Sequence, residues 1–377
     1  MRGFLDELTA RSVRGWATEN DGQPARVQVW VNGKLSREFT PALPRADLPV
    51  ACAFDADIGC LLQENDRLEL KSARDRAHLP GSPVIAKAGR TATRRDKAVW
   101  LASPGMKMLE IGPSYSPLIP RSAGWNSFSL DCATAEELRV KYAHEPRVGN
   151  IEDVDFVWRD GRLSEAVPAA EHGTFDYVLA CHVFEHAPDP IGFLHSIDCL
   201  LKPDGMLSLA LPDKRRMFDF FGQISTTSDW LAAIGRTRHP PKTHFDHFGR
   251  HVHESGAITW ATKALGNLQF IHSLEKAKAA FDRELNSSSV EYVDLHATIS
   301  TPSSLEVILL EIGQLGLLPF HIAQRFPGPA EFEYWLILQK GAPPKLPEAE
   351  LNQQRLKLMK RALREQAEAA RWLLDED

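Results

Sequence analysis

The chain has 377 residues, 43% of them hydrophobic and 25% charged, and its 44 basic and 50 acidic side chains leave a net charge of −6. This length predicts two or three folded units, and the composition is ordinary for a protein that buries a core. Without a basic surplus, the sequence excludes an electrostatic footprint for nucleic acid. Glu311 and Gln314 interrupt the apolar run from Val307 to Phe320, so we expect no membrane span and a cytoplasmic location.

The first eighty or so residues predict a small antiparallel β-structure. Valine occupies every second position from Val27 to Val31, the dipeptide Asn32-Gly33 follows, and an apolar strand returns at 35–39. That order is a hairpin signature, because Asn-Gly adopts the turn that matches the twist of the two strands. Further strand candidates at 13–17, 50–54 and 67–71 suit a sandwich-like all-β domain over residues 1–82.

The opening run G-F-L-D-E-L-T-A-R-S-V-R-G-W-A resembles an accessory β-domain attached to bacterial glycan-modifying enzymes. The resemblance implies that this domain holds a glycan or a partner protein. Trp16 and Trp30 are then candidates for an exposed stacking surface, and the alternative for each is a place in a small core.

After the turn residues Pro80 to Pro83, we predict a linker over residues 83–105 and then a short apolar strand that ends in a carboxylate. The run M-K-M-L-E-I-G-P-S-Y-S-P begins at Met106, and the strand-like S-F-S-L-D ends at Asp131. In an open α/β sheet, ligands bind beyond the carboxyl ends of the strands, where a glycine admits the ligand and an acidic residue about 20 positions on accepts ribose hydroxyls. Gly112 without further glycines argues against a diphosphate grip and favours a nucleoside cofactor that carries no diphosphate.

The segment from Thr174 to Pro212 has a more specific pattern. It reads T-F-D-Y-V-L-A-C-H-V-F-E-H-A-P-D-P, then a helical stretch, then L-L-K-P-D-G-M-L-S-L-A-L-P. Together with L-E-I-G and L-D upstream, it resembles the S-adenosylmethionine-dependent methyltransferases with the Rossmann-like fold. The resemblance covers about Met106 to Gln339 and implies an α/β domain with a mixed, mostly parallel sheet over residues 106–340. It also implies a lid or substrate insertion around 213–290.

Within that class, three runs narrow the resemblance. These are E-I-G-P-S-Y-S-P, V-D-F-V-W at Val154 to Trp158, and L-P-D-K-R-R-M-F-D at Leu211 to Asp219. They resemble a bacterial subgroup associated with polysaccharide-building enzymes. This narrower resemblance implies a context of glycan biosynthesis.

The resemblance also implies where S-adenosylmethionine binds. Glu110 and Gly112 fall on the turn for the methionine moiety, and Asp131 falls at the ribose hydroxyls. Asn150 stands where the family often has an aspartate before its adenine contact, and it keeps hydrogen-bonding capacity. The full predicted cofactor set is Glu110, Gly112, Pro113, Ser114, Asp131, Asn150, Ile151, Glu152, Cys181 and His182.

Histidines that follow the strand at 175–181 are the candidate catalytic groups. His182 and His186 are four residues apart, so we expect them on one face of a helix start. A hydroxyl acceptor has a pKa far above neutrality, and histidine is the base suited to neutral pH. We predict His186 as the first candidate base and His182 as the second, with His247 as a further catalytic candidate. The alternative is that these histidines brace the cofactor loop.

Acceptor contacts are predicted after the same strand and in the insertion. The predicted set is Glu185, Asp213, Lys214, Arg215, Asp246 and His247. For Asp213 to Arg215 a charge cluster at a helix start is the equal alternative. The run H-F-D-H-F-G-R-H-V-H could supply mixed ligands to a divalent metal through Asp246 and the histidines. We expect a polar lid surface there and no metal.

The last segment predicts a C-terminal helical extension over residues 341–377. Three prolines lie between Gly341 and Pro347, and the residues from Glu348 to Leu374 are strong helix formers. Leu351 and Leu358 are seven apart, but the next heptad position is Glu365. We therefore predict a packing or docking helix and no coiled coil.

The motif H-V-F-E-H admits one other enzyme class, because H-x-x-E-H is also the signature of inverted zinc peptidases. The ordered companions L-E-I-G, L-D and L-K-P-D-G favour the methyltransferase. We predict methyl transfer from S-adenosylmethionine to a hydroxyl of a glycan or glycan precursor, by in-line displacement. Two alternatives stay open: N- or C-methylation of a small metabolite, and a catalytically silent scaffold whose β-domain binds carbohydrate or a partner. Expected partners are a glycan or small-molecule acceptor and glycan-biosynthesis enzymes.

Overall fold

The computed structural model of the chain describes residues 1–9, 11–23, 25–45, 50–59, 62, 66–86, 93–103, 105–260, 265–287, 292–326, 328 and 331–374. The chain divides into two compact units, Met1–Ser103 and Pro104–Asp377. Parts of the predicted linker (87–92 and 104) and of the predicted insertion (261–264 and 288–290) lie outside the described residues.

The first unit contains two antiparallel sheets, as the sequence predicts. One has the order β1-β2-β5 and the other the order β4-β3-β6-β7. Alternate side chains of these strands, among them Val13, Val27 and Leu70, are buried in a common core. The strands are β1 (Arg2–Leu8), β2 (Ser12–Thr18), β3 (Val27–Val31), β4 (Lys34–Phe39), β5 (Ala53–Asp57), β6 (Arg67–Ser72) and β7 (Val84–Ile85).

The predicted hairpin is present in the structure, whereas the segment predicted as a linker contains folded elements. Asn32 and Gly33 join β3 to β4 with φ angles of 49° and 77°, the positive values that a two-residue hairpin turn requires. The segment predicted as a linker carries β7 and a short helix α1 (Arg94–Ala98), which a capping box between Thr93 and Asp96 begins. The Arg11 guanidinium donates to the carbonyls of Val99 (2.6 Å) and Trp100 (2.7 Å), so this segment is folded into the first unit.

The second unit is built on a seven-stranded sheet with the order β10-β9-β8-β11-β12-β16-β15. The first five strands of that order are parallel, and β16 and β15 are antiparallel to their neighbours. These are β8 (Met108–Ile111), β9 (Ser127–Asp131), β10 (Phe156–Val157), β11 (Phe175–Cys181), β12 (Leu201–Pro212), β15 (Phe320–Phe326) and β16 (Glu333–Lys340). The chain runs from β8 outward to β9 on one side and later to β11 on the other, so the strand order reverses between β8 and β11. Ligands of doubly wound sheets bind at such a switch point.

Helices flank this sheet and follow it. They are α2 (Ala135–Lys141), α3 (Pro190–Leu200), α4 (Thr227–Ala233), α5 (Pro241–Arg250), α6 (Leu274–Leu285), α7 (Pro302–Gln314) and α8 (Glu348–Leu374). The helices α4 to α6, with a small hairpin of β13 (Val252–Glu254) and β14 (Leu268–Phe270), lie between β12 and α7 along the chain. This is the stretch where the sequence predicts an insertion.

The C-terminal helix packs as a docking helix. Trp372 at its end is buried in a cluster with Phe220, Val252 and Trp260, and its ring also faces the Arg216 guanidinium at 4.7 Å. The apolar run from Val307 to Phe320 is part of α7 and the start of β15. Among the described residues, no helix combines the length and the apolar character that a membrane crossing needs.

We predict that Trp372→Ala lowers the free energy of unfolding by about 3–5 kcal/mol, because the substitution removes a buried indole and leaves a cavity. Leu363→Ala, on the exposed side of the same helix at 65% exposure, should change it by less than about 0.5 kcal/mol. Urea unfolding followed by circular dichroism measures both. Equal effects of the two substitutions would contradict the docked position of the helix.

Candidate active site

A pocket lies beside the carboxyl ends of β8 and β9, and it brings together residues from three predicted cofactor loops. Six of the ten predicted cofactor residues line it: Glu110, Pro113, Ser114, Asp131, Ile151 and Glu152. Phe128, Leu138 and Val154 add apolar wall. The pocket therefore combines carboxylates with apolar surface, which suits a nucleoside that has hydroxyl, amino and aromatic parts.

Two of these carboxylates shape the loop that follows β8. Glu110 is buried and accepts hydrogen bonds from the backbone N–H groups of Leu118 (2.9 Å) and Ile119 (3.1 Å). Asp131 accepts from the N–H groups of Ser114 (3.0 Å) and Cys132 (2.7 Å). Each carboxylate oxygen has two lone pairs, so Asp131 keeps acceptor capacity for ribose hydroxyls while it holds the loop.

Two further observations test whether a nucleoside cofactor fits this pocket. The Ser114 hydroxyl is buried and has no hydrogen-bond partner within the described part of the chain, and its residue has a positive φ of 48°. An orphaned buried hydroxyl at a strained turn is a group that a ligand can satisfy. Burial by itself would raise the pKa of Glu152, but the N–H groups of Ser122 and Arg121 lower it, so this side chain is an anion in the wall. The residues present fit S-adenosylmethionine.

Gly112 connects the cofactor loop to the histidine turn. It has a φ of 65°, and its N–H donates to the carbonyl of Leu130 at 2.7 Å. A Cβ at this position would lie 2.8 Å from Cγ2 of Val183, a distance that real side chains essentially never show. The loop after β8 and the turn after β11 are therefore in contact at the switch point of the sheet.

Four of the ten predicted cofactor residues do not line the pocket: Gly112, Asn150, Cys181 and His182. Asn150 is exposed at the end of a 3₁₀ turn, Val148–Asn150, outside the lining residues. Cys181 is the last residue of β11, and His182 follows it.

His182 is held between two carboxylates. Its Nε2 is 2.8 Å from Glu333 and its Nδ1 is 3.3 Å from Glu185. Burial by itself would lower the pKa of His182, but these two carboxylates raise it to about 9. The ring is thus an imidazolium at neutral pH and cannot accept a proton from a substrate. This corrects its prediction as a candidate base, because both ring nitrogens are committed to carboxylates.

His186 is oriented by an aspartate. The residues Phe184–His186 form a 3₁₀ turn, and the helix that the sequence predicts here begins only at Pro190. The His186 Nδ1 lies 2.8 Å from Asp294, and its Nε2 points towards Glu185 at 3.9 Å. The interaction with His186 lowers the pKa of Asp294 to about 2. Asp294 thus faces Nδ1, and Nε2 is the ring nitrogen that faces the buried carboxylate of Glu185.

A second aspartate orients two more histidines. Asp219 is 1% exposed and lies 2.5 Å from Nδ1 of His296 and 3.0 Å from Nε2 of His251. Burial by itself would raise the pKa of Asp219, but the contacts with His296 and His251 hold it far below its usual range. The rings of His186 and His296 are in edge-to-face contact, with centroids 4.6 Å apart.

His247 lies against this group, 3.9 Å from the ring centroid of His251. Burial lowers the pKa of His247 to about 3, and the neighbouring His251 and His296 add to the effect. The imidazole is therefore neutral at physiological pH. We use the name histidine centre for Glu185, His186, Asp219, His247, His251, Asp294 and His296.

Several predicted acceptor contacts lie elsewhere. Asp213 and Arg215 are buried and pair with each other, with Nε of Arg215 2.9 Å from Asp213, so they stabilise the turn after β12. Lys214 donates to the carbonyl of Phe220 at 2.7 Å. Asp246 pairs with Lys242 and Arg250 along α5, on a different face of the helix from His247. Asp213, Lys214, Arg215 and Asp246 thus have partners within the protein, and their role as acceptor contacts stays a prediction, whereas Glu185 and His247 are in the histidine centre.

The histidines of the run H-F-D-H-F-G-R-H-V-H do not all face the histidine centre. His247 and His251 face the centre, but His244 is near Glu284 (3.6 Å) and His253 accepts a hydrogen bond from the N–H of Gly256 (3.0 Å). The set of metal ligands that the run suggested as an alternative therefore does not assemble.

Sequence reasoning missed three members of the centre: Asp219, Asp294 and His296. Asp219 closes the quoted run L-P-D-K-R-R-M-F-D, but nothing in that run indicates that it faces histidines. Asp294 and His296 are in an irregular stretch before α7 with no recognisable spacing. Only the fold brings them to His186.

The comparison with protein families gives a match over part of the chain. Residues 91–266 match the family model described as "Methyltransferase domain". No curated protein sequence matches the chain significantly. Together with the doubly wound sheet, this match shows an S-adenosylmethionine-dependent methyltransferase with a Rossmann-like fold.

Solved structures with similarity to the chain have low identity. One is an S-adenosylmethionine-dependent methyltransferase from Aquifex aeolicus, at 11% identity and a TM-score of 0.33, covering 66% of this chain and 89% of that one. Another is a Rhodobacter sphaeroides protein described as a zinc-dependent alcohol dehydrogenase, at 13% identity and a TM-score of 0.36, covering 67% and 92%. A third is a 16S rRNA (adenine(1408)-N(1))-methyltransferase from Catenulisporales acidiphilia, at 13% identity and a TM-score of 0.30, covering 68% and 95%. Similarity at this level does not identify the acceptor.

We predict that Gly112→Ala weakens binding of S-adenosylmethionine at least about tenfold, because the new methyl group collides with Val183 and the backbone must leave its positive φ. Gly124→Ala is the matched control: Gly124 also has a positive φ, of 85°, but a Cβ there would meet nothing within 4 Å. Isothermal titration calorimetry measures both affinities. If Gly124→Ala weakened binding as much, general backbone strain would explain the loss, and contact between the two loops would not.

Proposed function

We propose that the chain transfers the methyl group of S-adenosylmethionine to a hydroxyl of a glycan or glycan precursor in the cytoplasm. The observation that carries the proposal is the histidine centre, which adjoins the cofactor loop at the switch point of the sheet. Glu185, Asp219, Asp294 and the histidines around them form a set of groups that can remove or replace a proton. Such a set is what a hydroxyl acceptor requires.

The chemistry of methyl transfer explains why a hydroxyl acceptor requires such groups. The cofactor supplies an electrophilic methyl group on a sulfonium, which leaves with its bonding electrons on sulfur. The acceptor oxygen forms the new bond to carbon, and its proton must go to the protein or to water for the charges to balance. A neutral amine or an activated carbon is a better nucleophile and needs less help, so the alternative of N- or C-methylation leaves the buried histidine centre without a task.

The part of the protein in this step is mainly orientation. The hydroxyl has to lie in line with the methyl group and sulfur, and a site that aligns them converts a bimolecular encounter into an almost unimolecular one. The contact between Gly112 and Val183 fixes the distance between the cofactor loop and the turn that carries Glu185 and His186. His182, clamped by Glu185 and Glu333, supports the start of that turn.

Two kinds of observation support a glycan as the acceptor: the sequence resemblances and the residues around Trp30 in the first unit. The subgroup that E-I-G-P-S-Y-S-P resembles is associated with polysaccharide biosynthesis, and the opening run resembles an accessory domain of glycan-modifying enzymes. Trp30 is partly buried and is not part of the hydrophobic core of the first unit, and the Arg76 guanidinium lies 4.7 Å and the Lys71 ammonium 5.1 Å from its ring centroid. An indole beside two cations suits a carbohydrate that carries an acidic group.

We predict that Asp131→Asn weakens binding of S-adenosylmethionine about 10- to 100-fold, because an anionic acceptor at the ribose and the anchor of Ser114 are both impaired. Asp153→Asn, whose side chain is 91% exposed, should leave the affinity unchanged. Calorimetry again measures both. Unchanged affinity in Asp131→Asn would remove the ribose assignment, and no binding by the wild-type protein with an intact fold would favour the scaffold alternative.

We predict that His186→Ala leaves the affinity for S-adenosylmethionine within about twofold but lowers kcat by about 100-fold or more, because the centre acts on the acceptor and not on the cofactor. The assay transfers labelled methyl from the cofactor into fractionated bacterial extract and separates lipid-linked glycan, polysaccharide and small molecules. His172→Ala, remote from the centre, is the control. Alkali-stable label on sugar hydroxyls supports the proposal, whereas label on amines of small metabolites would replace it.

A further inference from the structure

Glu185 is a buried carboxylate with the His182 ring as its nearest charged neighbour. The side chain is 0% exposed, and neither of its oxygens accepts an aligned hydrogen bond from any described residue. The nearest ring nitrogens are Nδ1 of His182 at 3.3 Å and Nε2 of His186 at 3.9 Å. His182 faces only one side of this carboxylate, and buried carboxylate oxygens without aligned donors are expected to bind a further group at this point.

Two histidines next to Glu185 are anchored in the same way. Nδ1 of His186 faces Asp294 at 2.8 Å, and Nδ1 of His296 faces Asp219 at 2.5 Å. A carboxylate at Nδ1 occupies that side of each ring, so Nε2 is the nitrogen that can face another ligand. Paired histidines held in this manner are the usual support of metal sites in proteins.

We propose that Glu185, His186 and His296 bind one divalent transition-metal ion. Ligand atoms of these three residues all lie within 4.8 Å of one another, close enough to share one ion. Two imidazoles with one carboxylate suit zinc, iron or cobalt, whereas magnesium and calcium prefer oxygen ligands alone. Three protein ligands leave coordination positions open, as in catalytic zinc sites. This replaces the sequence-based expectation of no metal.

A neighbouring cluster, Cys181, His182 and Glu333, has ligand atoms at similar spacing but a different chemistry. Both ring nitrogens of His182 face carboxylates, Glu333 at 2.8 Å and Glu185 at 3.3 Å. A ring whose two nitrogens both face carboxylates has no nitrogen free to bind a metal. The ion is therefore assigned to the side of Glu185 that faces His186 and His296.

The role of the ion in methyl transfer extends the proposed function and rests on it. A cation at the histidine centre would bind the acceptor hydroxyl at an open position and lower its pKa, so that the proton leaves to water before the oxygen attacks carbon. Glu185, His186 and His296 then serve as ligands, while Asp219 and Asp294 orient them. The binding of the ion itself does not depend on which acceptor is used.

The test measures metal without relying on activity. Protein purified without a histidine tag is stripped with EDTA and titrated with Co²⁺, whose visible spectrum reports coordination, and with Zn²⁺ by calorimetry. We expect about one ion per chain. Asp294→Asn, a change at a side chain that is 75% exposed and so safe for folding, should weaken the affinity about 10- to 100-fold. Glu185→Gln and His296→Gln should abolish the Co²⁺ spectrum, with circular dichroism confirming that each variant is folded.

Two controls locate the ion. His253→Ala removes a histidine outside the centre and should leave the affinity unchanged, and Cys181→Ser does the same for the neighbouring cluster. No stoichiometric metal in a folded protein, or an affinity that follows Cys181 and not Glu185, would overturn the proposal. A metal-binding protein that methylates no hydroxyl would leave the site standing and overturn the proposed function instead. Full methyl transfer after chelation would overturn the role of the ion in that reaction.

Discussion

The second unit depends on how it accommodates the charge of Glu185 at the carboxyl edge of its sheet. This side chain is fully buried, and His182, His186 and His296 surround it. Burial by itself would raise the pKa of Glu185, but the nearby histidines lower it, His182 first among them. The carboxylate thus stays ionised. Each of the three surrounding histidines in turn needs a second carboxylate as its partner. Glu333, Asp294 and Asp219 are those partners, and they come from three separate parts of the chain.

This arrangement also explains why the segment before α7 is irregular. The carbonyl of Glu185 accepts hydrogen bonds from the N–H groups of Ala297 (2.7 Å) and Thr298 (3.0 Å), so the segment runs alongside the turn at 184–186. Tyr292 donates its hydroxyl to the carbonyl of His186 at 3.1 Å. A helix over these residues would use its N–H groups internally. The extended path is therefore what delivers Asp294 and His296 to the turn.

The sequence predicts the fold well and the histidine centre only in part. The strand at 108–111, the acid at Asp131 and the docking helix at 348–374 follow from local patterns, because periodicity and turn residues act over a few positions. Asp213 and Arg215 look like free charges in the sequence, and only the fold shows that they pair in a buried turn. For the same reason, the sequence does not reveal the contact between Asp219 and His296, which are 77 residues apart and meet only in the folded chain. Predicting them from one sequence would require the three-dimensional contacts themselves.

His182 and His186 show why a short motif cannot assign chemistry by itself. The two residues are identical in type, four positions apart, and both next to Glu185. His182 meets a second carboxylate at its other nitrogen, so it holds a proton and acts as a fixed cation. His186 meets Asp294 at Nδ1 and leaves Nε2 open towards the centre. A zinc peptidase would need both histidines of H-x-x-E-H as ligands and the glutamate as a base. Here the contact with Glu333 leaves His182 without a nitrogen for a metal. His296, from a distant segment, is instead the second histidine of the proposed metal site.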